Sequence, residues 1–260
     1  MTYETITLDV SDDIATITLN RPDRLNAASL QMADDINLAL HSLNGARALV
    51  ITGAGRAFCS GADLQARGGG SISGGDASYV ALTRHYNPTM MTLAKLNIPV
   101  ITAVNGPAAG VGCSIGLCGD FVLAGKSGYF LQAFVNIGLV PDGGASWMLP
   151  RMVGKARATE MMMLGEKIWG EKAAEWGLIY KCVEDEALQA EARALAARLA
   201  AGPTLAYGVM RRNILSALEN DYAAALNAEA EGQRIAGSSA DAMEGGLAFL
   251  QKRKPAFKGN

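Results

Sequence analysis

"PVITAVNGPAAGVGCSIGLCGDFVLAG", residues 99 to 125, carries the pattern that decides the fold class. "VITAVNG" (100 to 106) is a short, largely apolar run with β-branched residues and reads as a buried strand. The small-residue turn "PAAGVGCS" (107 to 114) follows, and "DFVLAG" (120 to 125) is a second strand-like piece. Upstream, "ALVITG" (48 to 53) and the turn "AGRAFCSGAD" (54 to 63) repeat the design. Strands in series with helical segments between them argue for an α/β core with parallel pairing.

Each turn puts close-packed backbone at the end of a buried strand, where small side chains leave N–H groups able to face a cleft. Two such groups aimed at one point make an oxyanion hole. A tightly packed turn is the alternative, because glycine has many structural uses. Either turn alone leaves both readings open.

Further out, "IATITL" (14 to 19) reads as a strand and "NRPDRLNA" (20 to 27) as a Pro-containing loop. Ser29 is a plausible N-cap, and Leu30, Ala33, Ile36, Leu40 and Leu43 recur at helical spacing. "RGGGSISGGDAS" (67 to 78) has the composition of a flexible loop and lacks the GK[ST] of a phosphate loop. From about Glu186 the composition turns to Ala, Leu, Glu and Arg, with breaks at Gly202-Pro203, Asn220-Asp221 and Gly237-Ser238. That tail predicts four helices that pack on a neighbour. The expected organisation is a core over residues 1–200 and a helical C-terminal region over 201–260.

At 260 residues the chain can bury a substantial core, and its 50% hydrophobic and 18% charged residues are ordinary for a globular protein. A net charge of -2 gives no electrostatic reason for a nucleic-acid or anionic-membrane partner. No apolar run reaches the roughly 20 residues a spanning helix needs. Cys59, Cys113, Cys118 and Cys182 show no CxxC spacing, and no secretory leader is evident. Reduced thiols in a cytoplasmic compartment are therefore expected.

"GCSIG" (112 to 116) matches the G-x-S-x-G nucleophile elbow, but that fold needs a histidine after the serine. His41 and His85 both precede Ser114, so the triad order fails. The same two histidines and the scattered cysteines offer no zinc-ligand spacing, and no metal is expected. His41, near the end of a predicted helix, suits an interaction with the last carbonyls.

"NRPDRLNA", "AFCSGADL", the opening stretch, "GLVPDGGASWMLPRMVGKARATEMMMLGEKI", "AAEWGLI" and "GLAFLQKRKPAFKG" together resemble the enoyl-CoA hydratase/isomerase (crotonase) family, in order and over essentially the whole chain. The resemblance implies a spiral of ββα repeats followed by a helical region that trimerises, often as a dimer of trimers. It implies an acyl-CoA thioester substrate, with coenzyme A as part of that substrate and no further cofactor. It places the two oxyanion donors at the N–H groups of Ala62 in "CSGADL" and Val111 in "AAGVGC", with Ser60, Asp63 and Leu64 beside the first. The family usually has glycine at the second place; valine keeps the N–H and narrows the cleft.

Two preorganised donors stabilise an enolate as it forms, and losing one typically costs about 10²–10³ in rate. Hydratases of the family move the proton with two glutamates, whose places here are Ser114 and Phe134. Neither can act as a general base toward water. Isomerases of the family, dienoyl-CoA and ring-epoxyphenylacetyl-CoA isomerases among them, carry an aspartate in the turn where this chain has Asp142. "GLVPDGG", "RHYNP" and "AAEWG" resemble the latter group most. One carboxylate near apolar walls, its pKa raised by desolvation, can take a proton from one carbon and return it to another. Asp before Gly is also an ordinary turn or cap residue, so Asp142 taken alone leaves both roles open.

By the same resemblance Tyr86 and Asn87 line the acyl pocket, Arg24, Leu25 and Ala27 meet the nucleotide, and Phe257 and Lys258 reach it from an adjacent subunit. Related chlorobenzoyl-CoA dehalogenases use the aspartate as a nucleophile with a histidine base, whose place here is Asn87, two residues from His85. A hydratase with unusual acids and a silent acyl-CoA binder are the other readings.

Overall fold

The structure is a computed structural model that describes residues 2–63 and 74–260. Its main sheet starts with a hairpin: β1 (Ile6–Ser11) and β2 (Ile14–Leu19) pair antiparallel through Asp12 and Asp13. Both turn residues have positive φ, 54° and 61°, as a tight two-residue hairpin turn demands. In α1 (Leu30–Leu40) the Ser29 side chain accepts from the Met32 N–H at 3.1 Å, the expected N-cap. The helix ends before Leu43, which packs on the core from the following turn. His41 is the C-cap, its own backbone N–H bonded to Leu38 and Ala39 carbonyls.

β3 (Ala48–Gly53) is buried along its whole length. After it, α2 (Gly75–Ala81) runs through a π-helical turn at Leu82–Tyr86 into α3 (Asn87–Lys95). Gly75 to Ser78, expected in a loop, are thus helical; the rest of the Gly/Ser tract from 67 to 73, and Leu64 with it, lies outside the described residues. Then come β4 (Val100–Val104), β5 (Pro107–Ala109), α4 (Val111–Leu117), β6 (Phe121–Gly125) and β7 (Tyr129–Leu131). α5 (Ala145–Leu164) is interrupted at Gly154, whose φ of 75° and ψ of 164° are not helical. β8 (Ile168–Trp169), α6 (Gly170–Glu175) and β9 (Lys181–Val183) lead to the tail helices α7 (Leu188–Ala200), α8 (Thr204–Ala217), α9 (Tyr222–Gly237) and α10 (Ala240–Leu250). Their gaps fall at the three expected breaks.

The main sheet has the order β1-β2-β3-β4-β6-β9, parallel from β2 onward, and β5-β7-β8 form a smaller sheet. β4 and β6 each continue into a short strand of the small sheet and then a helix, β5 with α4 and β7 with α5. After β3 the place of that short strand is taken by Cys59, which bridges Ala108 in parallel. Repeated ββα units therefore wind into a crotonase-type spiral, with the turns of successive units side by side.

Alternate residues of β3 serve two cores. Leu49 and Ile51 join Met32, Ile36, Phe58 and Leu93 under α1 and α3, while Ala48 and Val50 meet Leu188, Ala192 and Ala196 of α7. A strand covered on both faces reads as an unbroken apolar run, and that is why "ALVITG" was legible. α8 to α10 instead leave Met210, Ile214, Tyr222, Met243, Phe249 and Leu250 exposed.

Candidate active site

The turn after β3 and the turn after β5 lie against each other. The Cys59 N–H donates to the Pro107 carbonyl (3.0 Å), and the Ala109 N–H donates to the Cys59 carbonyl (2.9 Å). Both chains then turn through glycines with positive φ, Gly61 at 106° and Gly110 at 53°. A Cβ on Gly61 would stand 3.1 Å from the Ala109 carbonyl oxygen, and one on Gly110 would stand 3.7 Å from the Gly61 Cα. The two turns thus pass close to each other one residue before Ala62 and Val111, tightly enough at Gly61 to crowd a Cβ, and the positive φ at both positions favours glycine.

Ala62 bridges Ala28: the Ala28 N–H donates to the Gly61 carbonyl (2.8 Å) and the Asp63 N–H to the Ala28 carbonyl (2.9 Å). This pairing uses the groups on either side of the Ala62 N–H and leaves that N–H on the other edge. Val111 opens α4, where a helix has no internal acceptor for the first N–H groups. The Gly110 carbonyl, the other half of that peptide, is fixed by the N–H groups of Cys113 (3.0 Å) and Ser114 (3.3 Å). Among the described residues neither the Ala62 nor the Val111 N–H has an acceptor.

The Asp142 turn closes on the same helix. The Ser114 hydroxyl donates to the Asp142 carbonyl at 2.9 Å, and the Ala145 N–H donates to that carbonyl at 3.2 Å. A Cβ on Gly143 would stand 2.7 Å from the Ser114 Cβ and 3.5 Å from the Val111 Cγ2, so this turn is pressed onto the first turn of α4. Asp142 is half-buried, with its Oδ1 shielded from solvent. Buried Phe134 completes the group: its ring Cζ would lie 3.7 Å from a Cβ on Gly110. Two backbone N–H groups, the turn that carries Asp142 and one phenyl ring therefore meet around the start of α4.

The remaining expected residues fall into three sets. Arg24, Leu25 and Ala27 lie on the 20–27 loop, where Leu25 and Asn26 have φ of 50° and 54°. Ser60 joins that loop to the first donor turn, its N–H donating to the Leu25 carbonyl (3.0 Å). Fully buried Asn26 secures both, accepting from the Arg21 N–H (2.8 Å) and donating to Ala54 and Ala57 carbonyls (2.9 and 2.8 Å). Asp63 is buried and ion-paired with Arg21 at 2.8 Å, so its carboxylate braces the loop. Asn26 and Arg21 were not anticipated; an Asn in a Pro-containing loop was the available signal.

Tyr86 is buried, its hydroxyl donating to the Ala28 carbonyl (2.7 Å), and it shares a small apolar cavity with Met32, Val111 and Ile115. Asn87 is exposed, and His85 Nδ1 sits 2.8 Å from Asp34 on α1. Ser114 lies inside a helix with its hydroxyl bonded to a carbonyl, which is not a nucleophile's setting. Burial pushes the Cys59 thiol up to about 11 and the Cys113 thiol up to about 12, so neither is ionised at neutral pH.

Phe257 and Lys258 sit elsewhere. The Arg47 guanidinium donates to the Phe257 carbonyl (3.3 Å), and the Lys258 N–H donates to Asp241 (2.7 Å). Arg47 precedes the first residue of β3, whereas the first donor turn follows its last, so within one chain Phe257 and the donor turns lie toward opposite ends of that strand.

The enoyl-CoA hydratase/isomerase family model matches residues 9–260. A Rhodobacter capsulatus protein named probable enoyl-CoA hydratase is 45% identical over 100% of both chains. The 1,2-epoxyphenylacetyl-CoA isomerase of Escherichia coli is 43% identical over 98% of this chain and 99% of its own. An enoyl-CoA hydratase structure from Polaromonas sp. JS666 superposes with a TM-score of 0.91 at 30% identity, covering 97% of this chain and 99% of that one.

Proposed function

The chain belongs to the enoyl-CoA hydratase/isomerase family, and from that premise we propose that it is an acyl-CoA isomerase with Asp142 as its acid/base. The observation that carries the reading is the Asp142 turn packed against Val111 and Ser114, with the Phe134 ring close to Gly110.

The thioester carbonyl oxygen would accept from the Ala62 and Val111 N–H groups. Removing a proton beside or conjugated to that carbonyl moves charge onto the oxygen, which two fixed donors stabilise without reorganising. Asp142 takes the proton and returns it to another carbon, moving a double bond or completing a ring rearrangement. The places where hydratases carry glutamates hold a buried hydroxyl engaged by a carbonyl and a phenyl ring, a poor setting for activating water. The name of the E. coli relative supports 1,2-epoxyphenylacetyl-CoA as the substrate type, within phenylacetate catabolism. The name of the R. capsulatus relative favours hydration instead, as the second reading.

In this reading coenzyme A enters as part of the substrate, and no metal or redox group takes part. The loop of Arg24, Leu25 and Ala27 meets the nucleotide. Phe257 and Lys258 reach it from an adjacent copy, since within one chain they lie toward the opposite end of β3 from the donor turns. Exposed apolar side chains on α8 to α10 support association with further copies, in this reading as a homotrimer or dimer of trimers. Four free cysteines support a cytoplasmic location.

The test is chromatography with mass spectrometry of 2-enoyl-, 3-enoyl- and ring-epoxyphenylacetyl-CoA after incubation with wild type and Asp142→Asn. A product of unchanged mass and shifted retention, lost in the variant, is expected. A product heavier by one water that survives the substitution would overturn the reading.

A further inference from the structure

We infer that Ser114 is a positioning residue that holds the Asp142 carboxylate in register with the Val111 donor; this rests on the acid/base reading of Asp142. Ser114 is fully buried and one helical turn beyond Val111. Its two polar groups act on the two halves of the site. The backbone N–H donates to the Gly110 carbonyl (3.3 Å), fixing the peptide whose other end is the Val111 N–H. The hydroxyl donates to the Asp142 carbonyl (2.9 Å), fixing the residue that carries the acid/base. One residue therefore ties donor and carboxylate to a single frame, although 28 positions separate Ser114 from Asp142.

The packing adds a second constraint. With Gly143 so close to the Ser114 Cβ, the turn cannot approach α4 further, while the hydroxyl bond keeps it from moving away. The Ala145 N–H also reaches the Asp142 carbonyl, but it belongs to α5 and moves with the turn; the Ser114 bond is the one that crosses to α4. Alanine at 114 keeps the helix and the Cβ contact and deletes only that tie. A misplacement of about 1 Å in a reacting group can cost on the order of 10²-fold in rate.

The experiment compares wild type, Ser114→Ala, Gly143→Ala and Asp142→Asn on a 3-enoyl-CoA, measuring kcat and KM separately, with melting temperature recorded in parallel. Ser114→Ala is expected to lower kcat about 10–100-fold while KM stays within twofold, because the thioester contacts remain. Gly143→Ala keeps the serine but sets a methyl 2.7 Å from its Cβ and 3.1 Å from its Oγ, which pushes the turn outward and stretches the hydroxyl bond, so it should give the same signature by a different route. A general loss of packing would lower the melting temperature without splitting kcat from KM. A folded Ser114→Ala with kcat within twofold of wild type overturns the inference, as does a rise in KM at constant kcat; if Ser114→Ala does not fold, the same outcomes in Gly143→Ala decide. Where Asp142→Asn abolishes turnover and Ser114→Ala does not lower it, only the positioning role falls. Where Asp142→Asn turns over normally, the acid/base reading falls as well.

Discussion

Replacing Gly61 by alanine probes the backbone-donor geometry directly. The residue sits at φ 106°, and an alanine Cβ there would meet the Ala109 carbonyl oxygen at 3.1 Å, tighter than nearly all real contacts of that kind. Backbone strain at such a φ costs about 1–3 kcal/mol. At about 2–4 °C per kcal/mol for a chain somewhat under this length, the melting temperature should fall by roughly 2–12 °C. Relief comes by moving segment 61–62 away from 109–110, and that movement carries the Ala62 N–H out of line with the Val111 N–H. Complete loss of one donor costs about 10²–10³ in kcat, so a partial displacement should cost about 10-fold or more. Gly45→Ala is the control: Gly45 has φ 80° with nothing within 4 Å of a Cβ, so it shares much of the strain and none of the contact. The assay is isomerase turnover at a temperature well below both melting transitions. Equal, near-wild-type kcat in the two variants would refute the claim that the Gly61–Gly110 contact sets the donor.

Other expectations are read without a turnover assay. Asp35 is buried; desolvation raises its pKa, but hydrogen bonds from Thr5 and Gln31 side chains and from Thr5 and Glu4 backbone outweigh it and hold the carboxyl below its ordinary 3.8. A folded pKa below the unfolded one contributes stability that is present above about pH 4 and lost as pH falls through the folded value. Asp35→Asn should therefore destabilise at pH 7 by about 1–3 kcal/mol and converge on wild type in strongly acidic solution, as read by urea melts across pH; a constant difference would contradict it. Native protein treated with iodoacetamide at neutral pH should keep Cys59 and Cys113 unmodified, since both thiols are buried with pKa values of about 11 and 12. Rapid alkylation of either, mapped by peptide mass, would show that the site opens.

How much of this was legible depended on whether the cause was local. Strands at 14–19, 48–53 and 100–104 announce themselves because both faces, or nearly both, are apolar. The tail helices are marked by Gly-Pro, Asn-Asp and Gly-Ser breaks, and Asp221 and Ser239 do cap α9 and α10. β1 has one solvated face, and its mixed polar sequence carries little strand signal. β5, β7 and β8 are two or three residues long, too short for any period, and exist because neighbouring turns pair with them. Pro-Ala-Ala is poor strand material; Pro107 serves because its carbonyl, not an N–H, is what Cys59 needs.

The site divides the same way. Pro-Asp-Gly-Gly marks a tight turn bearing a carboxylate, and two strand-end glycine turns mark candidate donors. That Ser114 holds the Asp142 backbone is tertiary and invisible in order of residues. So is the Arg21–Asp63 pair, which braces the loop. His85, two positions from the place of a dehalogenase base, is engaged by Asp34.

The most direct measurement of the central claim is solvent deuterium uptake by a 3-enoyl-CoA in heavy water, followed by mass spectrometry for wild type and Asp142→Asn. Formation of the enolate with Asp142 as acid/base predicts an isomer without added water in wild type, carrying deuterium at carbon to the extent that the protonated Asp142 exchanges with solvent before it returns the proton, and neither isomerisation nor exchange in the variant. Exchange at the wild-type rate in Asp142→Asn, or a wild-type product carrying an added water, would contradict it.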